Sequence, residues 1–397
     1  MVVVGAGPAG LMAAERLAPA FRVTVVDHMA SAGRKLLVAG RGGLNLTHTE
    51  GLEQFLDRYG PARARLEPAV TAFTPDDLRE WSAGLGQPTF VGTSDRVFPE
   101  SFRATALLSA WLERLESLGV EFRHGLRWTG WGETGPRFMT DDGTESELTA
   151  DATVLALGGA SWARTGSDGS WTETFADAGI EVGPLRPSNC GFTVAWTPYF
   201  VERHAGDPLK NVRLTFGDRS ARGEAMLTDD GIEGNAVYAL SAVLRDSLDA
   251  GEPTELLLDL RPDLSVESLT GRLAARRPKE SASKWLRRAA GLPPVAVALL
   301  REARPNLPDD PAAMAALVRA CPVTLTAVQP IDRAISTAGG IAFKEVDEHF
   351  MLQARPGTFV AGEMLDWEAP TGGYLLQATF STAVAAADGV RRWLDRG

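Results

Sequence analysis

Gly5-Ala6-Gly7-Pro8-Ala9-Gly10 separates the apolar run Val2-Val3-Val4 from an alanine-rich stretch, Leu11 to Leu17, and a second apolar run, Val23-Thr24-Val25-Val26, closes on Asp27, 22 residues after Gly5. This pattern predicts a buried strand, a glycine turn, a closely packed helix and a second strand ending in an acid. In such a unit Gly5 permits the tight turn, Gly7 lets backbone approach a pyrophosphate, and Gly10 lets the helix lie against the strand. Amide N–H groups at the helix start then face the phosphates, and Asp27 takes the ribose hydroxyls. A glycine fingerprint alone is weak. Placed after a strand, before a helix and at this distance from its acid, it predicts a dinucleotide-binding fold.

At 397 residues and 44% hydrophobic, the chain has the length of two or three domains. No apolar run nears the ~20 residues of a membrane span, and no signal peptide precedes the nucleotide pattern, so a soluble, cytoplasmic protein is expected. A net charge of -11 offers no overall positive field to nucleic acid or anionic lipid. The expected partner is a small molecule, with neither nucleic acid nor membrane, and the oligomeric state is not fixed by sequence. Cys190 and Cys321 are far apart with no C-x-x-C pair, which argues against dithiol flavoenzyme chemistry. Cys190, within Ser188-Asn189-Cys190-Gly191, is either packed or site-lining, with packing preferred. The five histidines are dispersed, and no metal site is expected.

From Ser31 to His48 the chain is loop-like, basic and glycine-rich, placed to reach the same ligand as Asp27. Leu52 to about Trp111 reads as largely helical with breaks at Pro61, Pro68, Pro75 and Pro88, and Ala104 to Leu118 as an amphipathic helix. Val120 to Phe122, with runs around Leu126 to Trp131, Arg137 to Thr140 and Glu145 to Thr149, reads as a small antiparallel meander. It leads into the apolar run Ala152 to Leu157, which stops at Gly158-Gly159. Strand, glycine turn, helix, strand with acid, meander and glycine-stopped strand is the layout of an FAD domain rather than a plain NAD domain. Between about Leu185 and Pro322 the pattern changes to mixed strand-like and helical pieces, among them a helix over Ala312 to Cys321. Its basic clusters, Arg272 to Lys279 and Lys284 to Arg288, read first as a solvated face. Nucleotide-fold character returns in Ser336 to Ile341, in Gly357 to Glu363, and in Pro370 to Gln377, where Gly372-Gly373 opens a last helix, Leu375 to about Leu394. The positive end of that helix would favour electron density on a flavin N1–C2 carbonyl edge by about 1 kcal/mol.

Assembled, these motifs resemble the insert-containing bacterial flavoprotein family of NAD(P)/FAD-dependent oxidoreductases, also called the aminoacetone oxidase family, whose members include bile-acid intermediate reductases. The resemblance spans nearly the whole chain. It rests on Gly5 to Gly10, Gly33-Arg34-Lys35 with Gly40 to Thr47, Thr337 to Ile341 with Glu345-Val346-Asp347, Ala361-Gly362-Glu363 through Asp366, and Thr371 to Tyr374 with Gln377. It implies an α/β fold: a Rossmann-like, glutathione-reductase-like FAD domain from residues 1–185 and 323–397, interrupted by an insert, 186–322, with a β-barrel-like part and a helical part on the substrate side. Gly5, Ala6, Gly7, Pro8, Ala9, Gly10, Asp27, Arg34, Lys35, Gly362, Glu363, Gly373 and Gln377 inherit cofactor-binding roles. His28, Arg41, Gly42, Asn45, Trp128, Gly158, Gly159, Gly372 and Tyr374 complete the cofactor set. Leu44 stands where many relatives carry cysteine, so a cysteine-dependent step there is not available to this chain.

The implied activity is FAD-dependent transfer of a hydride or two electrons between a reductant and a small organic substrate. No second G-x-G-x-x-G follows a strand, so NAD(P)H would act only as a transient co-substrate, and an oxidase remains open. Candidate substrate-side residues are Asn45, His48, Arg164 and Tyr374, with no catalytic acid assigned. Two alternatives stand: a flavin-dependent RNA-modifying enzyme, for which Arg272 to Arg288 would supply a local basic patch, and a non-catalytic flavin sensor.

Overall fold

The opening strand, Val2–Val4, is hydrogen-bonded on both sides, Val3 lying opposite Val25 on one neighbour and Val154 on the other. Five parallel strands follow the order Thr358–Val360, Thr153–Leu155, Val2–Val4, Thr24–Asp27, Glu121–His124. The computed structural model describes residues 1–395. Successive residues of a strand point to opposite faces, and the opening strand shows the result. Val3 joins a core with Val25, Val154, Leu11 of the helix Pro8–Leu17 and Phe380 of the last helix, Tyr374–Leu394. Val2 and Val4 join a second core with Trp128, Phe138, Trp171 and Phe175. Both faces are covered, as parallel sheets require.

The meander comprises Arg127–Trp131, Pro136–Met139 and Glu145–Glu147. Glu121–His124, expected in that meander, instead pairs in parallel with Thr24–Asp27 as the sheet's outer strand. Two further expectations fail between Leu52 and Trp111. Pro68 lies inside the helix Arg63–Ala72 rather than breaking it. Thr89–Val91 and Arg96–Pro99 form an antiparallel hairpin, extended to a three-stranded ribbon by Thr47–His48.

The chain divides into two units: Met1–Arg186 with the residues from Ser336 onward, and Pro187–Ile335. The crossing back falls later than the expected 322. Cys321–Leu325 pairs with Thr254–Asp259, and Ala327–Val328 pairs with Phe192–Thr193, so both strands belong to the seven-stranded sheet of the second unit. One continuous stretch therefore serves both edges, interrupted only by Thr326, and the sheet closes on itself like a barrel. The expected helix to Cys321 accordingly stops at Arg319. Helices Val266–Ala274, Ala282–Ala289, Pro294–Ala303 and Pro311–Arg319 make the helical part around buried Trp285, whose indole N–H donates to the Leu273 carbonyl at 3.0 Å. Neither cysteine is in a disulfide and both are buried; burial pushes the Cys321 thiol up to about 12. No helix among the described residues is long and apolar enough to cross a membrane.

Candidate functional site

The three fingerprint glycines are required for different reasons. Gly5 has φ +103°, and a Cβ there would lie 2.3 Å from the Ala156 carbonyl oxygen; at Gly10 it would lie 1.8 Å from the Gly5 carbonyl oxygen. At Gly7 it would meet nothing within 4 Å. Two glycines thus serve the protein's own packing, and the middle one borders open space, the place a pyrophosphate needs. The helix Pro8–Leu17 begins at Gly7 with no side-chain cap, which leaves first-turn N–H groups for an anion. Pro8, which has no N–H, occupies the first helical position. Asp27 is fixed at its strand end by the Ala6 N–H (2.6 Å) and the Met29 N–H (2.7 Å), and each carboxylate oxygen keeps capacity for a ribose hydroxyl. His28 stands beside it, its Nδ1 3.9 Å from Asp27 Oδ1.

Lys35 and Glu363 were both expected to touch the cofactor, and the structure makes them partners of each other. Lys35 Nζ donates to Glu363 Oε2 (2.8 Å) and Ser161 Oγ (2.7 Å), while the Thr337 N–H donates to Glu363 Oε1 (3.0 Å). The Thr337 hydroxyl oxygen accepts from the N–H groups of Ala160 (2.9 Å) and Ser161 (3.1 Å). Gly158 and Gly159 make room for this network: a Cβ at the first would lie 2.5 Å from Ser167 Oγ, at the second 2.3 Å from Thr337 Oγ1. A Cβ on Gly362, which has φ +75°, would lie 2.9 Å from the Ala9 Cβ, so the C-terminal segment abuts the first helix start. Arg34 Nε is buried with no hydrogen-bond partner among the described residues. Arg41 and Gly42 are exposed.

The second helix start is assembled from distant pieces. Gly372 and Gly373 have φ +136° and +101°, and a Cβ on Gly373 would lie 2.4 Å from Thr47 Cα. The helix Tyr374–Leu394 starts there without a side-chain cap. The Asn45 amide donates to the carbonyls of Thr47 (2.8 Å) and Val97 (3.1 Å), leaving its buried Oδ1 unpartnered among the described residues. Leu44, at 1% exposure, is packed in the core.

Tyr374, named for both cofactor and substrate, is buried at 4% exposure. Its hydroxyl donates to Glu50 Oε1 at 2.5 Å, and its ring stacks on His48 at 5.5 Å. Arg58 binds the same carboxylate through Nε (3.1 Å) and Nη2 (2.7 Å). Burial, then the hydrogen bond to Glu50, pushes the Tyr374 hydroxyl above its ordinary range. Burial alone would raise the Glu50 carboxyl, but the hydrogen bonds from Arg58 and Tyr374 outweigh it and hold that carboxyl low. The Glu50 N–H donates to His48 Nδ1 at 3.1 Å, which places the ring proton on Nε2. Gln377, expected at the cofactor, has no accessible surface; its amide donates to the Phe73 carbonyl at 2.7 Å, and its Oε1 has no hydrogen-bond partner among the described residues. Trp128 is likewise buried, edge-on to Trp131 at 5.0 Å, with its indole N–H unpartnered among the described residues. Arg164 is exposed and lies over the Trp162 ring at 5.0 Å.

Sequence reasoning missed Arg96. It is the cross-strand partner of His48, and its Nε lies 3.9 Å from the Cβ position of Gly372. Its strand alternates intermediate and buried along Arg96-Val97-Phe98-Pro99, a run too short for the sequence alone to mark. Taken together, the open space at Gly7, the fixed acid, the orphaned Arg34 Nε and two uncapped helix starts fit an extended flavin nucleotide.

The family model described as HI0933-like protein Rossmann domain matches residues 1–389, and the chain belongs to that family. A 3-dehydro-bile acid delta(4,6)-reductase of Clostridium scindens is 26% identical, over 97% of each chain. A ribosomal RNA dihydrouridine synthase of Haemophilus influenzae is 25% identical, over 98% of each chain. Among solved structures, the 3-ketosteroid delta1-dehydrogenase of Sterolibacterium denitrificans shares the fold with a TM-score of 0.54 at 14% identity, over 98% of this chain and 99% of that one.

Proposed function

We propose that the chain is an FAD-dependent oxidoreductase that saturates a carbon–carbon double bond conjugated with a carbonyl group in a small organic molecule. The observation that carries the cofactor assignment is the open Gly7 turn at an uncapped helix start with Asp27 fixed beside it. The substrate class is supported by the names of two full-length relatives, a delta(4,6)-reductase of a 3-dehydro bile acid and a dihydrouridine synthase, which share saturation of a conjugated double bond. Bound flavin would supply the hydride. The chain's part is to hold the pyrophosphate at the first helix start, the ribose at Asp27, and the developing negative charge at the second helix start, worth about 1 kcal/mol. NAD(P)H would serve as a transient donor. Two buried cysteines outside any disulfide support a reducing, cytoplasmic setting.

The test is anaerobic. Photoreduced protein is mixed with conjugated enones or with their saturated ketones, and the flavin band at about 450 nm is followed. Its return with enones alone is the expected result; return with oxygen and with no enone would sink the proposal in favour of an oxidase or sensor. A nucleic-acid substrate is the second reading, favoured by the dihydrouridine synthase relative. Against it stand the net charge of -11 and the ion pairing of Arg276 with Asp309 and of Arg288 with Glu280 within the basic cluster. A salt-dependent shift of ribosomal RNA by the protein would support that reading instead.

A further inference from the structure

We infer that one face of the ribbon Thr47–His48, Arg96–Pro99, Thr89–Val91 is the substrate platform, and that it takes an apolar molecule carrying an oxygen that gains negative charge. The inference rests on the proposed enone reduction and names the surface that would perform it. Strand alternation defines the face. His48 lies opposite Arg96 and Phe90 opposite Phe98, while Val97, one residue along, is buried on the other side. Cross-strand partners and residues two apart share a face, so His48, Arg96, Phe98 and Phe90 form one row.

The row is chemically divided. At one end are two donors. Arg96 makes no side-chain hydrogen bond or ion pair among the described residues, and its Nε stands 3.9 Å from the Cβ position of Gly372. His48 has Nδ1 engaged by the Glu50 N–H and its ring stacked on Tyr374, which aims an Nε2–H donor from a braced ring. At the other end Phe90, Phe98 and Phe102 contact one another at centroid distances of 5.1 to 6.1 Å, with Phe90 39% and Phe102 44% exposed. Phe102 is held at φ +57° with its ring 2.4 Å from the Cβ position of Gly43. A bulky residue in that region is strained and persists where its surroundings impose it. The face therefore runs from the glycine turn of the last helix to the basic glycine loop, both expected at the flavin.

An enone matches this division. Bound reduced flavin would supply the hydride for the β-carbon, and the electron pair of the double bond would then move through the α-carbon to the carbonyl oxygen. Arg96 and His48 Nε2–H would hold that oxyanion until its electron pair re-forms the carbonyl and the α-carbon takes a proton from water, leaving hydroxide to solvent and the saturated ketone as product. The apolar body rests on the phenylalanines.

The experiment titrates FAD-loaded protein with 4-nitrophenolate, an apolar ring bearing an oxyanion, and reads the perturbation of the flavin spectrum. Arg96→Met is expected to weaken binding about 30-fold, the loss of one charge-assisted hydrogen bond, with Arg96→Lys recovering most of it and FAD content unchanged. Phe90→Ala is expected to weaken it by about threefold. Failure of the wild-type protein to bind the phenolate, unchanged affinity in Arg96→Met, or loss of FAD from that variant would each overturn the inference. If the phenolate result holds while enones fail to reoxidise the reduced protein, the oxyanion site stands and the proposed reaction falls.

Discussion

The helix starts at Gly7 and Gly373 are both uncapped, yet one is made of neighbours and the other of strangers. At the first, the atoms that forbid a side chain on Gly10 belong to Gly5, and the acid that braces the turn is Asp27. At the second, the forbidding atoms belong to Thr47, from the opposite end of the chain. The Ala156 carbonyl against Gly5 aside, the first start is braced from within residues 5–29; the second depends on the ribbon and the last helix both being in place. The first is therefore expected to fix stability and cofactor affinity separately, residue by residue, and the second to couple them.

The sharpest test of that contrast is Gly10→Val. Its Cβ would overlap backbone that cannot yield, and a loss of about 3 kcal/mol or more is expected in thermal melts of the apo-protein. Gly7→Val is expected to leave those melts nearly unchanged, because the space there is open, while weakening FAD about 100-fold, or about 2.7 kcal/mol, by titration. Equal damage from the two substitutions would break the comparison. Gly373→Ala meets both a left-handed φ and the Thr47 backbone, and about 2 kcal/mol is expected, with stability and FAD affinity falling together. The smallest effect is expected from Tyr374→Phe, about 1 kcal/mol for the lost hydrogen bond to Glu50. Its sign with pH follows from the Glu50 carboxyl being held below its ordinary 4.5. That stabilisation is complete above the ordinary value and is lost as pH falls through the lower folded value. The gap between wild type and variant should be flat from about pH 5 to 7 and close in stronger acid; a gap that widened in acid would refute the assignment.

What could be read in advance follows the same division. Gly5 to Gly10, Asp27, the apolar strand before Gly158 and the start of the last helix announce themselves because each signal lies within a few residues. The ribbon does not, since Thr47–His48 finds Arg96 and Val97 only after an intervening helical stretch, and strands of two to four residues carry too little alternation to outweigh the helical neighbours around them. Arg96 was hidden with the ribbon. Lys35, Glu363 and Gln377 carry polar groups that suit a cofactor, but each bonds to a segment remote in sequence, which composition cannot reveal. Glu121–His124 was misassigned because an outer parallel strand and a meander strand have the same short pattern.

The pairing of Thr153–Leu155 with Thr358–Val360 also sets a schedule for biosynthesis. At about 5–20 residues per second, a ribosome needs on the order of 10–40 s to travel between those strands. Throughout that interval the earlier one has an open edge. Pro187–Ile335, whose barrel is sealed by its own final residues, has everything it needs in the meantime. Nascent chains halted short of Thr358 should resist protease across Pro187–Ile335 and be cut in the preceding residues. The polypeptide then matures from its middle outward, and its exposed edge awaits the last tenth of translation.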